Sequence, residues 1–224
     1  MLEALFPNWG RGGQSLVEAT LGTLEMTAVS GIFAFILGTT LGVLLVVMKK
    51  GGILENVIAY FILDVVINWI RSIPFLILMI LLIPLSRMIT GTGIGTVGAI
   101  VPLVLGTTPF FARQIESAIA EIDPGLVEAS LAMGMSPIEI IFSVYLRESI
   151  PSIARVTQIT AINLVALTTL TGAIGAPSLG EFAIRFGHQL RHTDLLIAAT
   201  LVIIIIVIII QLIGNIVIRY TKRW

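Results

Sequence analysis

Apolar residues in this chain do not alternate with polar ones but run together in long blocks, separated by short polar or glycine-rich stretches. A helix crosses the hydrocarbon core of a bilayer with roughly 20 apolar residues, and five blocks are long enough to do so. The first lies within residues 16–48 and is most apolar over 28–48. The piece before it carries Glu18, Glu25 and several threonines, so it is expected at the interface or against a partner. The second block falls within residues 53–85. Its early part holds Glu55, Asp64, Asn68 and Arg71, which shifts the expected embedded portion toward 69–85. Pro74 lacks an amide hydrogen and is expected to kink that helix. The third block is about 96–119, the fourth about 153–174 and the fifth about 195–218, with an unbroken apolar run over 202–210.

Between the third and fourth blocks the pattern changes. Residues 121–151 are polar and turn-rich and predict two short helices meeting at a glycine. Asp123 suits an N-cap, and Pro124 suits the first helical position, where a missing N–H costs nothing. This helix can run through Met133, with Gly134 at the left-handed position that ends it. A second start follows at once: Ser136 caps, Pro137 takes the first turn, and Glu139 stands three residues after Ser136, as in a capping box.

Composition agrees with a multi-span helical membrane protein. Of 224 residues, 57% are hydrophobic and 12% charged, about half the charged share of an ordinary soluble domain, and the mean hydropathy is +1.06. The expected fold is all-α, a single transmembrane domain over residues 1–224 with the polar element at about 121–151. Net charge is zero, which implies no bulk attraction to nucleic acid, and the absence of cysteine excludes disulfides and thiolate metal sites. The first 15 residues contain Pro7, Gly10, Arg11, Gly12 and Gly13 but no short apolar region with a cleavage site, so the first span is expected to act as its own insertion signal.

Lysine and arginine set the orientation. With the N-terminus outside, Lys49, Lys50, Arg113, Arg147, Arg155, Arg219, Lys222 and Arg223 fall on the cytoplasmic side, and only Arg11, Arg87, Arg185 and Arg191 outside. This excess predicts N-out, C-in topology. The 121–151 element then lies in the cytoplasm, and the glycine-rich stretches 91–98 and 172–180 face outward.

The 121–151 element resembles the EAA loop, the cytoplasmic signature of permease subunits of bacterial ABC importers. Glu128, Ala129 and Gly134 match at the family's spacing, and Val144 and Leu146 stand where its apolar pair belongs. Arg147 replaces the usual proline and Ser130 the frequent second alanine. Residues 71–84 (RSIPFLILMILLIP), 91–95 (GTGIG), 108–122 (TPFFARQIESAIAEI) and 172–182 (GAIGAPSLGEF) are further similar to the permease of methionine-uptake importers, so the likeness covers roughly residues 15–220. The resemblance implies the type I importer permease fold with five spans, in the bacterial plasma membrane. It implies a homodimer, two ATPase subunits that carry ATP and magnesium, and an extracytoplasmic substrate-binding lipoprotein. The chain is then not itself an enzyme and holds no cofactor. Its cargo would be L- or D-methionine, with another amino acid or small solute as the alternative. On the same basis Glu128, Ala129, Met133, Gly134 and Ser136 are the expected ATPase-coupling residues.

A coupling element has to be stiff to transmit displacement, and two caps around a glycine turn supply stiffness by local chemistry. The competing expectation is an interfacial helix lying on lipid. Such helices carry a basic polar face, whereas residues 121–139 contain four acidic residues and no basic one, which favours docking to a protein.

Three other groups carry candidate chemistry. Asp64, Asn68 and Arg71 are spaced four and three apart and share a helical face, so they read as a polar pairing that orients the second span, or as a polar contact near the inner end of a pathway. Thr168, Thr169 and Thr171 place hydroxyls on an apolar helix just before it is broken by Gly172, Gly175, Pro177 and Gly180. Thr168, Leu170 and Thr171 are therefore the expected pathway or gate residues, with Leu170 at the family's apolar constriction. The alternative is that the hydroxyls bond back to carbonyls four residues earlier. Gly93, Gly95 and Gly98 spell GxGxxG without a preceding strand, so they read as turn glycines. His188 and His192 lack a defensible third ligand, and no metal is assigned. No glycine-rich loop is followed by lysine, so ATP must be bound elsewhere. A self-sufficient secondary transporter would call for inverted repeats, which five spans do not divide into.

Overall fold

The computed structural model describes residues 8–221. Pro7, Lys222 and Arg223, used above, lie outside them. The described residues form helices throughout: α1 (Trp9–Met48), α2 (Val57–Ser72), α3 (Phe75–Leu81), α4 (Ile83–Thr90), α5 (Gly95–Ala120), α6 (Pro124–Ala132), α7 (Pro137–Ile140), α8 (Ile150–Thr168), α9 (Leu179–Phe182) and α10 (Thr193–Thr221). α7 continues as a π-helical stretch, Ile141–Leu146, α8 as a 3-10 turn, Thr169–Ile174, and α9 as a π-helical turn, Ala183–Gln189.

Four continuous helical stretches are long and apolar enough to cross a membrane: Gly12–Met48, Gly95–Ala120, Ile150–Ile174 and Thr193–Thr221. The second block is instead a broken span. α2 and α3 meet at a bend of 104°, placed where Pro74 cannot donate to the helix ladder and takes an extended conformation at φ −54°, ψ 131°. All five expected segments are thus helical, but the portion expected to be embedded, 69–85, is divided among α2, α3 and α4. In the first segment, the piece ahead of residue 28, expected at the interface or against a partner, is part of one continuous helix of 40 residues. Leu16, Ala19, Thr23, Met26 and Ser30 recur at helical spacing and are all buried, while Glu18 and Glu25 share the exposed side. The Thr20 and Thr23 hydroxyls donate to the carbonyls of Leu16 and Ala19, which reconciles these residues with an apolar helix.

The chain forms two compact units. The first comprises residues 1–33, 73–106 and 161–211, the second residues 34–72, 107–160 and 212–224. The first unit has two apolar cores. In one, Leu16 and Ala19 of α1 pack with Leu179, Phe182, Leu195 and Ala199; in the other, Met26 packs with Met79, Leu103, Leu164 and Ile174. In the second unit, Val43, Val46 and Val47 of α1 pack with Phe111, Ile115 and Ile119 of α5 and with Ile140, Val144 and Tyr145. This core anchors the polar 121–151 element through α7. A smaller cluster joins Leu45, Ile67 and Ala112.

Candidate functional site

In the second unit the 121–151 element is held by consecutive capping motifs. The Asp123 carboxylate accepts a hydrogen bond from the Gly125 amide at 2.9 Å, and Pro124 occupies the first turn of α6. At the other end Gly134 takes φ +80°. Its amide donates to the Leu131 carbonyl at 3.0 Å, and the Met135 amide donates to the Ser130 carbonyl at 3.1 Å. This pair of bonds is a Schellman closure, which demands a left-handed residue where it turns. One residue later the Ser136 hydroxyl accepts from the Glu139 amide, and the Glu139 carboxylate accepts from the Ser136 amide at 2.7 Å. That bond holds the fully solvated Glu139 carboxyl below its ordinary range, with the Ser136 hydroxyl adding to the effect. The Schellman closure runs through Met135 and the capping box begins at Ser136, so the two motifs are contiguous and α6 and α7 form a stiff corner.

The corner faces two ways. Ile140 is fully buried in the core and Met135 packs beside it, while Leu126, Leu131, Met133 and Ile138 point outward, Met133 being 74% exposed. Glu128 and Ala129 are also exposed. The corner therefore presents a row of exposed apolar side chains beside its acidic residues. Arg147 explains how the family's missing proline is accommodated. Its amide donates to the Val144 carbonyl and its backbone stays helical at φ −67°, ψ −49°, so the chain passes through the π-helical stretch toward α8 with little interruption. Ser152 then donates to the Glu121 carboxylate at 2.9 Å, tying the start of α8 to the end of α5.

The polar cluster of α2 is built differently from the sequence expectation. Asn68 donates to Asp64 at 3.1 Å, but Arg71 is exposed and has no hydrogen-bond or ion-pair partner among the described residues. The cation that closes the cluster is Arg113 of α5. Its guanidinium donates to the Asp64 carboxylate, to the Asn68 side-chain oxygen at 3.1 Å and to Glu116 at 2.7 Å. One planar fork thereby clamps α2 to α5. Sequence reading placed Arg113 only as a topological charge and missed Glu116. The available signal was their i, i+3 spacing on an otherwise apolar span, which marks ionisable groups that need partners.

In the first unit, Thr168 and Thr171 are fully buried. Their hydroxyls donate to the Val165 and Thr168 carbonyls at 2.6 and 2.7 Å, three residues back rather than four, because the helix tightens to 3-10 geometry here. Leu170, between them, points outward and is 42% exposed. The segment after it is closely packed: a Cβ at Gly180 would lie 2.3 Å from the Thr169 carbonyl oxygen, and one at Gly22 would lie 2.2 Å from that of Pro177. The Leu179 amide donates to the Thr23 hydroxyl at 3.0 Å, fixing this return segment against α1. His188 is exposed at the end of the π-helical turn, and the His192 carbonyl accepts from the amides of Leu195 and Leu196. Among the described residues no three His, Cys, Asp or Glu side chains are grouped as a metal site.

A stiff, capped corner with a bare apolar face, carried by a bundle of membrane-length helices, is the architecture expected of a transport permease. Residues 35–224 match the family model of the binding-protein-dependent transport system inner membrane component. The chain belongs to that family. It is 44% identical over 204 residues to the probable D-methionine transport system permease protein MetI of Vibrio cholerae, covering 91% of each chain. It is 42% identical over 217 residues to the methionine import system permease protein MetP of Bacillus subtilis, covering 97% of each. The structure superposes with a TM-score of 0.91 on a chain of the MetNI methionine ABC transporter in an inward-facing crystal form, at 39% identity, covering 94% of this chain and 98% of that one. As an inner-membrane transport component, the chain has the type I importer permease fold and is a multi-span membrane protein.

Proposed function

We propose that this chain is the permease subunit of an ATP-driven methionine importer. It works as a homodimer with two ATPase subunits and an extracytoplasmic substrate-binding protein. The observation that carries this reading is the corner of α6 and α7, closed by a Schellman turn and a capping box, in a chain similar over nearly its full length to methionine permeases. Such a corner transmits a displacement without absorbing it. When the ATPase subunits close, Leu126 and Met133 follow their docking surface, and Ile140, seated in the core with Val144, passes the movement to α5 and α8. Glu128, Ala129, Met133, Gly134 and Ser136 are the coupling residues in this scheme. The chain supplies no nucleotide chemistry of its own, since no lysine follows a glycine-rich loop.

The gate falls to Leu170. Thr168 and Thr171 are buried and bonded to backbone, which leaves Leu170 as the large exposed apolar side chain of that turn. The topology that suits this scheme is N-out, C-in, with the α6–α7 corner in the cytoplasm. The test is uptake by proteoliposomes holding the chain with its ATPase and binding protein. Labelled L- and D-methionine should accumulate only with ATP inside the ATPase compartment, and other amino acids should compete poorly. Uptake persisting without the ATPase would overturn the reading; equal competition by unrelated amino acids would overturn the substrate.

A further inference from the structure

α2 carries two faces of opposite character besides its buried side, which Ile67 marks. Ile58, Ile62, Val66 and Trp69 follow one another at helical spacing along the first, and all are exposed. Asp64, Asn68 and Arg71 share the second. The apolar face suits lipid. The polar face does not, because ionisable groups at membrane depth turn to the bundle interior or to a water-filled space.

The depth of Arg71 follows from how α2 begins. The Leu54 and Asn56 amides donate to the Val47 and Met48 carbonyls, each at 3.0 Å. α2 therefore starts level with the end of α1, where Lys49 and Lys50 mark the membrane surface. With the rise of an α-helix, Arg71 stands about 21 Å along α2 from Val57, well inside a hydrocarbon core about 30 Å thick. The span is broken just beyond it, by the 104° bend at Pro74. Irregular backbone at such depth is tolerated where it lines protein or a water-filled cavity. Arg71 itself is exposed, with no ion-pair or hydrogen-bond partner among the described residues. The nearby carboxylates are already engaged, since Asp64 and Glu116 both pair with Arg113.

An unpaired cation facing open space at this depth calls for an anion that comes and goes. We propose that Arg71 lines the translocation pathway and takes the α-carboxylate of the passing amino acid, in the bidentate geometry a guanidinium offers a carboxylate. The proposal rests on the importer reading, which puts a zwitterion in that pathway. No ion pair has to break before the cargo is received, because the fold leaves Arg71 uncommitted. Arg113, held by two carboxylates, is the structural cation of the cluster, and Arg71 is the one that meets the cargo.

The natural chain contains no cysteine, which allows a single reporter. Ser72 is exposed beside Arg71, so Ser72→Cys is made in the full chain, bound to its ATPase in lipid nanodiscs without nucleotide. Its reaction rate is measured with a methanethiosulfonate bearing a sulfonate and with one bearing a quaternary ammonium. Adding Arg71→Gln should lower the ratio of the anionic to the cationic rate at least fivefold. High-millimolar L-methionine should slow the reaction at least threefold, and L-methioninol, which lacks the carboxylate, should not. The protection should vanish with Arg71→Gln. Ile62→Cys, on the apolar face, should stay unreactive. An unchanged rate ratio would mean that a carboxylate of the second copy already neutralises Arg71. Absence of methionine protection would mean that Arg71 reaches a lipid phosphate instead. Either result, equal protection by methioninol, or reaction at position 62 as fast as at 72 would overturn the proposal. In the proteoliposome assay Arg71→Ala should lower methionine uptake at least tenfold, and Arg71→Lys should recover part of it. Full uptake by Arg71→Ala would sink the proposal and leave the importer reading standing, whereas no uptake by the natural chain would sink the importer reading itself.

Discussion

Arg113 shows how much one side chain can organise in an apolar bundle. Its guanidinium engages Asp64, Asn68 and Glu116 at once, and both ion-pair carboxylates are only partly exposed, 28% for Asp64 and 23% for Glu116. Removing the cation leaves two carboxylates facing each other across α2 and α5. Arg113→Ala should therefore cost about 2 kcal/mol, the order of a lost charge-assisted hydrogen bond, seen as a lower thermal midpoint in detergent. Arg113→Lys should restore only part, because an ammonium keeps the charge but not the planar fork. Arg71→Ala should leave the midpoint unchanged, since Arg71 stands exposed and apart from the cluster. A midpoint lowered equally by Arg71→Ala would contradict this assignment.

At the scale of elements, the α6–α7 corner is held by short-range bonds, and one of them is sensitive to pH. Glu139 is held below its ordinary value of 4.5 by the bond from the Ser136 amide and then by the Ser136 hydroxyl. A carboxylate with a depressed folded-state value stabilises the corner at neutral pH. That contribution is fully present above the unfolded value and fades as pH falls through the folded one. The stability difference between the natural chain and Glu139→Gln should thus be constant near neutrality and shrink below about pH 4.5, which thermal unfolding at stepped pH would measure. Ser136→Ala, which removes the other half of the box, should cost about 1 kcal/mol. A Glu139→Gln difference that persists unchanged into acid would show that the carboxylate is not part of the cap.

For the whole molecule, the issue is whether the corner transmits force. Gly134 takes φ +80° with open space around the position where a Cβ would stand, so a side chain there is strained by backbone conformation and not by a clash. Gly134→Asp should open the Schellman turn, add charge beside the docking face and separate ATP hydrolysis from uptake, while the permease still inserts and folds. Met133→Asp should instead weaken co-purification with the ATPase and leave the turn intact, because Met133 is mostly exposed and makes no part of the core. Uptake and co-purification measured together distinguish a loosened lever from a lost dock. Full coupling in both variants would remove the α6–α7 corner from the mechanism.

What the sequence determined by itself is what depends on interactions within about four residues: the apolar blocks, the bend at Pro74, the N-caps at Asp123 and Ser136, and the left-handed turn at Gly134. Each rests on a local period or a fixed offset, so it can be read along the chain. Tertiary structure decided the pairings. Asp64 and Arg113 lie 49 positions apart, and nothing in local spacing chose Arg113 over the nearer Arg71. The early part of α1 is likewise polar in sequence, yet it continues the helix because its buried stripe meets Leu179 and Leu195. The side to which Leu170 turns also follows from how distant segments pack. Caps and periods are written in short-range chemistry, whereas partners are chosen by packing between residues the sequence keeps far apart.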